Sequence, residues 1–420
     1  MIQFFKNKLK SKFFVIYLLT FTNGLSFAML IPVLPFIVRN YNQPEIFLWF
    51  LLATYSLFQF IATPIIWALS DRYGRRSLLL ITQGGTLLAW IVLWVAYLMP
   101  EVPILWLTVL PILVVFLSRA LDGVTGGNSS VAQAVIADRT NKNNRTQAFW
   151  QNGAVMWFAI IVWPALGSFS MGISSHWFLW TAILWAIISV ITLSIIYFKL
   201  EESHPVKERT DKIKINARNF NFFSQIKKWY GVGVINYASV MRLFIFVAFI
   251  SYTSISALYL LDNFGFNEKT VGYYLAFAGS FVIFHQSVTV KWIVNKFWDR
   301  MWIMIWLWLL WGWFLWQAFA GDNLITFTVA NFFAIAWVST CFSTDSGLFS
   351  KSVDEKQQWE VLGYALSIQS FISIWVPPIA TIIYTSINFS IYYIIWIIPL
   401  IWLLFSLLLY WKPKYQKNKA

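Results

Sequence analysis

Long apolar runs recur along the chain, and each is long enough to cross a lipid bilayer. They fall at roughly 13–38, 46–69, 77–99, 104–137, 146–171 and 177–199, and again at 236–262, 270–294, 301–320, 324–350, 358–386 and 390–411. A spanning helix needs about 20 apolar residues. Charged residues are only 11% of the chain, against about 25% in soluble domains. Mean hydropathy is +0.65. A soluble enzyme, a disordered chain and a nucleic-acid-binding domain are excluded. No strand alternation of barrel type is visible, so helices are the spanning element. The expected fold is an all-α membrane protein with twelve transmembrane helices.

The runs divide into two sets of six. A polar stretch at about 200–235 separates them, rich in charge from Glu201 to Lys228. The expected organisation is a six-helix bundle over 1–199, a linker over 200–235 and a second six-helix bundle over 236–420. The net charge of +14 is topological. Of the 31 Lys and Arg residues, 28 lie at the two ends, in the linker, in alternate loops or, as Arg242, at a helix start. Only Arg39 and Lys269 lie in the opposite loops, and Arg119 lies within a run. The positive-inside rule therefore puts both termini and the linker in the cytoplasm of a multi-pass plasma-membrane protein, as in a bacterial inner membrane. Anionic headgroups suffice as partners for these charges, so no nucleic acid is implied. Lys6, Lys8, Lys10 and Lys12 precede a run of full spanning length reaching Pro35, which reads as a retained first helix. The single cysteine, Cys341, permits no internal disulfide.

The two sets resemble each other. Asp71-Arg72-Tyr73-Gly74-Arg75-Arg76 follows the second run, and Asn295-Lys296-Phe297-Trp298-Asp299-Arg300 follows the eighth. Glu45-x-x-x-Trp49 opens the second run and Glu268-x-x-x-Gly272 the eighth. This is the weak internal symmetry of parallel repeats. In the first loop Gly74 is free to take positive φ in a tight turn. Asp71 beside Arg72, Arg75 and Arg76 can latch helix ends together. The plain alternative is an ordinary basic turn.

That loop resembles the loop 2–3 signature of the major facilitator superfamily, with Trp67 in place of its leading glycine. Further motifs are similar to the tetracycline/proton antiporters and their drug-efflux relatives. They are Ile31-Pro32-Val33-Leu34-Pro35, Leu51-Leu52-Ala53 with Tyr55 and Gln59-Phe60, Arg119 followed by Gly123-Val124-Thr125-Gly126, Ala137-Asp138 with Arg145, and Val353-Asp354-Glu355 with Gln358. In the fifth run, Gly153, Trp157 and Trp163-Pro164-Ala165-Leu166-Gly167-Ser168 resemble the antiporter motif, with Trp157 and Trp163 at glycine positions and Ser168 at a final one. The resemblance implies a central cavity between two halves, alternating access and, through the fifth run, export. It also implies a part for Arg119 in proton coupling. Tetracycline-pumping members carry acids where this chain has Asn23, Ala89 and Leu310, so the ligand departs from tetracycline more readily than the fold does.

The residues support a coupling site independently. Arg119 sits midway along an apolar run, where an ionisable group is costly and reads as functional. Asp122 lies three residues on, on the same helical face, so the two can pair; the alternative is a pair that merely neutralises itself. Asp345, in Thr344-Asp345-Ser346, is with Asp122 one of the two acids placed within the membrane, and burial suits it to proton exchange near neutral pH. The alternative is an acid near the inner end paired with Lys351. His285 can titrate in the physiological range, or be a satisfied core histidine. Asn23, Gln59 and Gln286 are candidate polar groups of a substrate cavity.

No metal spacing, nucleotide-binding loop or paired nucleophile appears. The expected function is therefore a non-enzymatic, cofactor-free, ion-driven carrier, monomeric, with protons and a small amphipathic molecule as partners. The alternatives are a proton-coupled importer of sugars or other metabolites, and a non-transporting membrane receptor on the same fold.

Tryptophan usage is anomalous. The chain has 26 Trp and only 19 Gly, whereas glycine averages about 7% of residues and is more frequent still in membrane helices. Trp49, Trp67, Trp150, Trp157, Trp163, Trp298, Trp306, Trp311, Trp313 and Trp359 stand where the family pattern has glycine. Interfacial belts account for Trp94 and Trp411, but not for indoles in close-packing motifs. The expectation is that many of these positions are glycine in the cell, encoded by UGA read as glycine.

Overall fold

Backbone groups in hydrocarbon have no water to bond, so each apolar run must satisfy itself as a helix. The computed structural model describes residues 13–104, 108–140, 177–209, 233–285, 323–351 and 358–387, with isolated positions between 148 and 159 and between 312 and 319. Two compact units are present, Met1–Phe220 and Asn221–Ala420. The first contains α1 (Phe14–Asn40), α2 (Ile46–Tyr73), α3 (Arg75–Leu98), α4 (Leu110–Gly126), α5 (Asn128–Asp138) and α6 (Trp177–Lys199). The second contains α7 (Gly233–Phe264), α8 (Glu268–Phe284), α9 (Leu324–Lys351) and α10 (Gln358–Ile387). Six stretches among the described residues are long and apolar enough to cross a membrane: Ile46–Tyr73, Arg75–Leu98, Leu110–Asp138, Leu179–Lys199, Ile235–Phe264 and Ser367–Thr385. The fifth, ninth and twelfth expected runs lie largely outside the described residues.

The breaks follow from local chemistry. Gly74 joins α2 to α3 at φ 93°, a left-handed conformation open chiefly to glycine. The fourth run does not begin as a helix. Pro103–Ile104 (β1) pairs antiparallel with Thr108–Val109 (β2), and α4 starts only at Leu110, with Pro111 in its first turn. Proline is favoured there because the missing N–H has no helical acceptor. Gly127, between α4 and α5, keeps near-helical angles, so the two continue as one span.

Lipid tails are as apolar as leucine, so helices associate through small residues and interhelical hydrogen bonds. In the first unit a Cβ on Gly123 would lie 2.5 Å from the Tyr55 carbonyl oxygen, and one on Gly126 would lie 2.8 Å from the Tyr55 hydroxyl. The two glycines thus let α4 meet α2. Hydroxyl pairs join Thr86 to Thr125 and Thr22 to Thr192, each at 2.9 Å. Ser118 donates to the Ala89 carbonyl at 2.8 Å. Ile16, Leu19, Leu79, Val131, Val135 and Ile196 form the inner apolar core of this unit. In the second unit Tyr259 stacks on Phe327 and Phe264 meets the same ring at a tilt, each with ring centroids 5.2 Å apart.

Candidate functional site

Arg119 and Asp122 are each 3% exposed, one helical turn apart on α4. The Arg119 guanidinium donates through Nη1 to Asp122 Oδ2 at 3.0 Å. Its Cζ lies 4.6 Å from the centroid of the Tyr55 ring on α2, a cation–π contact strengthened by exclusion of water. Gln59 Nε2 donates to the Tyr55 hydroxyl at 3.1 Å and to the Gly126 carbonyl at 3.3 Å, fixing the ring edge. Arg119 Nε has no hydrogen-bond partner among the described residues. The pair is thus enclosed by protein, with one guanidinium N–H left over. Gly123 and Gly126 bring Tyr55 this close.

Asn23 Nδ2 donates to Asn128 Oδ1 at 2.7 Å, and Asn128 Nδ2 returns a bond at 3.3 Å. Asn128 is fully buried. Ala89 is itself buried, and its carbonyl accepts from Ser118.

The α2–α3 turn is a dense polar network. Arg75 is buried and pairs with Asp71 at 2.5 Å and with Asp138 at 3.4 Å; it also donates to Ser70. Glu202, just beyond α6, accepts the backbone N–H of Arg75 at 2.9 Å and of Arg76 at 3.3 Å. It thereby caps the otherwise bare N-terminus of α3. Arg76 donates to the Tyr197 carbonyl at 2.7 Å. Arg72 lies over the Tyr73 ring at 5.2 Å.

The structure thus brings Arg119, Asp122 and Gln59 together, and gathers Asp71, Gly74, Arg75 and Arg76 with Arg72 alongside. His285 is buried at the end of α8 in the second unit. Asp345 lies within α9, and its side chain is outside the described residues. Gln286, Gly153, Trp157, Trp163, Pro164 and Gly167 also lie outside them. Sequence reasoning missed Tyr55 as the cation's platform, Asn128 as the partner of Asn23, and Glu202 as the cap. Glu201-Glu202 in a basic linker was a usable signal for the last. Arg242, read as a helix-start charge, lies well inside α7, buried against the Phe349 ring at 4.9 Å. Among the described residues no group of three or more His, Cys, Asp or Glu could hold a metal ion.

A family model described as Major Facilitator Superfamily matches residues 16–297. The tetracycline resistance protein, class B, of Escherichia coli is 25% identical over 370 residues, covering 87% of this chain and 86% of that protein. The multidrug resistance protein 2 of Bacillus subtilis is 23% identical over 305 residues, covering 72% and 71%. Among solved structures, the xylose transporter XylE of E. coli in a partially occluded inward-open conformation aligns with a TM-score of 0.73 at 18% identity, covering 98% of this chain and 100% of that one. The fold, the loop signature and the match over most of the chain agree: this protein belongs to the Major Facilitator Superfamily, a family of membrane carriers rather than enzymes.

Proposed function

We propose that the chain is a proton-coupled exporter of small amphipathic compounds, working by alternating access between halves spanning 1–199 and 236–420, with 200–235 and both termini cytoplasmic. The observation that carries coupling is the buried Arg119–Asp122 pair on α4, 3.0 Å apart. Placing an ion pair in a membrane span costs several kcal/mol of desolvation, which a passive scaffold has no reason to retain. Protonation of Asp122 would release Arg119 to its remaining partner, the Tyr55 face. That is a local charge change able to bias two states of the α2–α4 contact. Export is supported by likeness to tetracycline and multidrug resistance proteins along most of the chain; likeness to the xylose carrier is one of fold. The test is drug-susceptibility profiling of an efflux-deficient host expressing the chain, followed by proton release from inverted vesicles on addition of any compound that scores. A host with no altered susceptibility, whose vesicles instead accumulate a sugar in the import direction, would overturn the reading.

A further inference from the structure

The second unit encloses a guanidinium of its own. Arg242 on α7 is 5% exposed. Its Cζ lies 4.9 Å from the centroid of the Phe349 ring on α9 and 5.6 Å from that of Phe246 on its own helix. Aromatic faces attract a cation but carry no net charge, and a buried charge is costly without a counter-charge. The described helices of this unit carry few acids. Asp262 lies at the far end of α7, where it accepts from the Tyr384 hydroxyl at 2.9 Å. Glu268 opens α8 beyond that same end. Asp345 on α9 and Glu360 on α10 remain.

The register of the helices separates these two. α7 and α10 run parallel: Ser239 shares a hydrogen bond with Tyr364, and the Tyr259 and Tyr384 rings meet at 6.5 Å. α7 and α9 run antiparallel, since Tyr259 stacks on Phe327 and Arg242 lies over Phe349. The Phe349 and Tyr364 rings are 6.5 Å apart, so Ser239, Phe349 and Tyr364 mark one level. Helical rise puts Arg242 about 4.5 Å from that level, toward Tyr259. Asp345, one turn from Phe349 and on its face of α9, falls about 6 Å from the level in the same direction. Glu360 falls about 6 Å from it in the opposite direction. Lys351, at the end of α9, is off the face shared by positions 345 and 349.

We propose that Asp345 is the counter-charge of Arg242, so that the second unit holds an interhelical ion pair tying α7 to α9. Arg119 and Asp122 share one helix, whereas this pair joins two. Neutralising Asp345 therefore loosens the α7–α9 contact itself. Arg242 is a positioning residue that acts through Asp345. The pair does not depend on the exporter reading. The titratable and charged groups on the elements packed around Asp345 are Arg242 on α7, Tyr364 and Glu360 on α10, Lys351 on α9 and His285 at the end of α8. Tyr274 of α8 bonds Asn331, farther along α9.

The test uses the full chain in lipid bilayers and needs no transport substrate. It reads the melting temperature and the infrared carboxyl band of Asp345, assigned by its loss in Asp345→Asn. Arg242→Gln should lower the melting temperature, and Arg242→Lys should recover most of the loss. Arg242→Gln with Asp345→Asn should be more stable than Arg242→Gln alone. The protonated-carboxyl band should persist at least one pH unit further toward alkaline in Arg242→Gln, because removing a neighbouring cation favours the neutral acid. That is a tenfold change in proton affinity, which an arginine serving packing alone would not produce. If Arg242→Gln does not fold, the double variant should, and a double variant that also fails would overturn the proposal. So would an Asp345 band that titrates identically with and without Arg242, or stability recovered by combining Arg242→Gln with Glu360→Gln but not with Asp345→Asn.

Discussion

At the residue scale, the Arg119–Asp122 pair was legible because three residues on a helix return a side chain to the same face. Its third member was not. Tyr55 lies on another helix, and only the close approach allowed by Gly123 and Gly126 brings its ring to 4.6 Å from the guanidinium. Removing one partner of a buried pair strands the other charge, at about 3–5 kcal/mol, whereas removing both can be nearly neutral. Arg119→Ala and Asp122→Ala should each lower the melting temperature more than the double variant does, and all three should abolish gradient-driven export in inverted vesicles. A double variant as unstable as the sum of the singles would mean that the pair is not coupled. Asp345 is argued from its place in α9 alone. Asp345→Asn should alter the pH dependence of export, and an unchanged profile would remove it from the mechanism.

At the element scale, the helices were readable where apolarity ran between clear breakers, as in α2 between Glu45 and Gly74. The fourth run failed at its start because apolar content does not distinguish strand from helix, and Pro103 and Pro111 were the better markers. What apolarity cannot report is which glycine touches a neighbour. A Cβ on Gly123 would collide with the Tyr55 backbone, whereas one on Gly84 would meet nothing within 4 Å. Gly84→Ala should therefore be neutral or gain up to about 1 kcal/mol from helix propensity. Gly123→Ala should cost about 1–3 kcal/mol by overpacking. Thermal unfolding of the two purified variants compares them directly; equal melting points would refute close α2–α4 packing at Gly123. The cap on α3 was missed for a different reason: the acidic pair Glu201-Glu202 stands out in a basic linker, but Glu202 is far from Arg75 in sequence, so its target was not legible. Glu202→Ala should cost about 0.5–2 kcal/mol, read in the same way.

For the whole molecule, the charge asymmetry and the tryptophan excess each make a claim. Reporter fusions at Glu208 and Ala420 should both score cytoplasmic, and an external score for either would break the inside-out alternation of spans. The tryptophan claim is sharpened by where the indoles lie. Trp67, at the glycine position that leads the loop signature, is 44% exposed, so packing there does not resist an indole. Trp49 is buried, and its indole nitrogen has no hydrogen-bond partner among the described residues, so a large side chain is carried there with a polar atom unsatisfied. An unpaired buried donor costs about 1–3 kcal/mol, and repeating such a cost across one bundle would consume much of a total stability of about 5–15 kcal/mol. Chains in which positions 49, 67, 157, 163, 298 and 359 are changed from Trp to Gly should therefore yield more folded protein than the all-Trp chain, with Trp49→Gly contributing more than Trp67→Gly. The codons at these six positions should be UGA, while belt positions such as Trp94 read UGG. Peptide mass spectrometry of protein from its native host decides the matter: peptides spanning positions 49 and 163 should each be lighter by the difference between an indole-bearing residue and glycine, and an intact tryptophan at both would end the recoding argument.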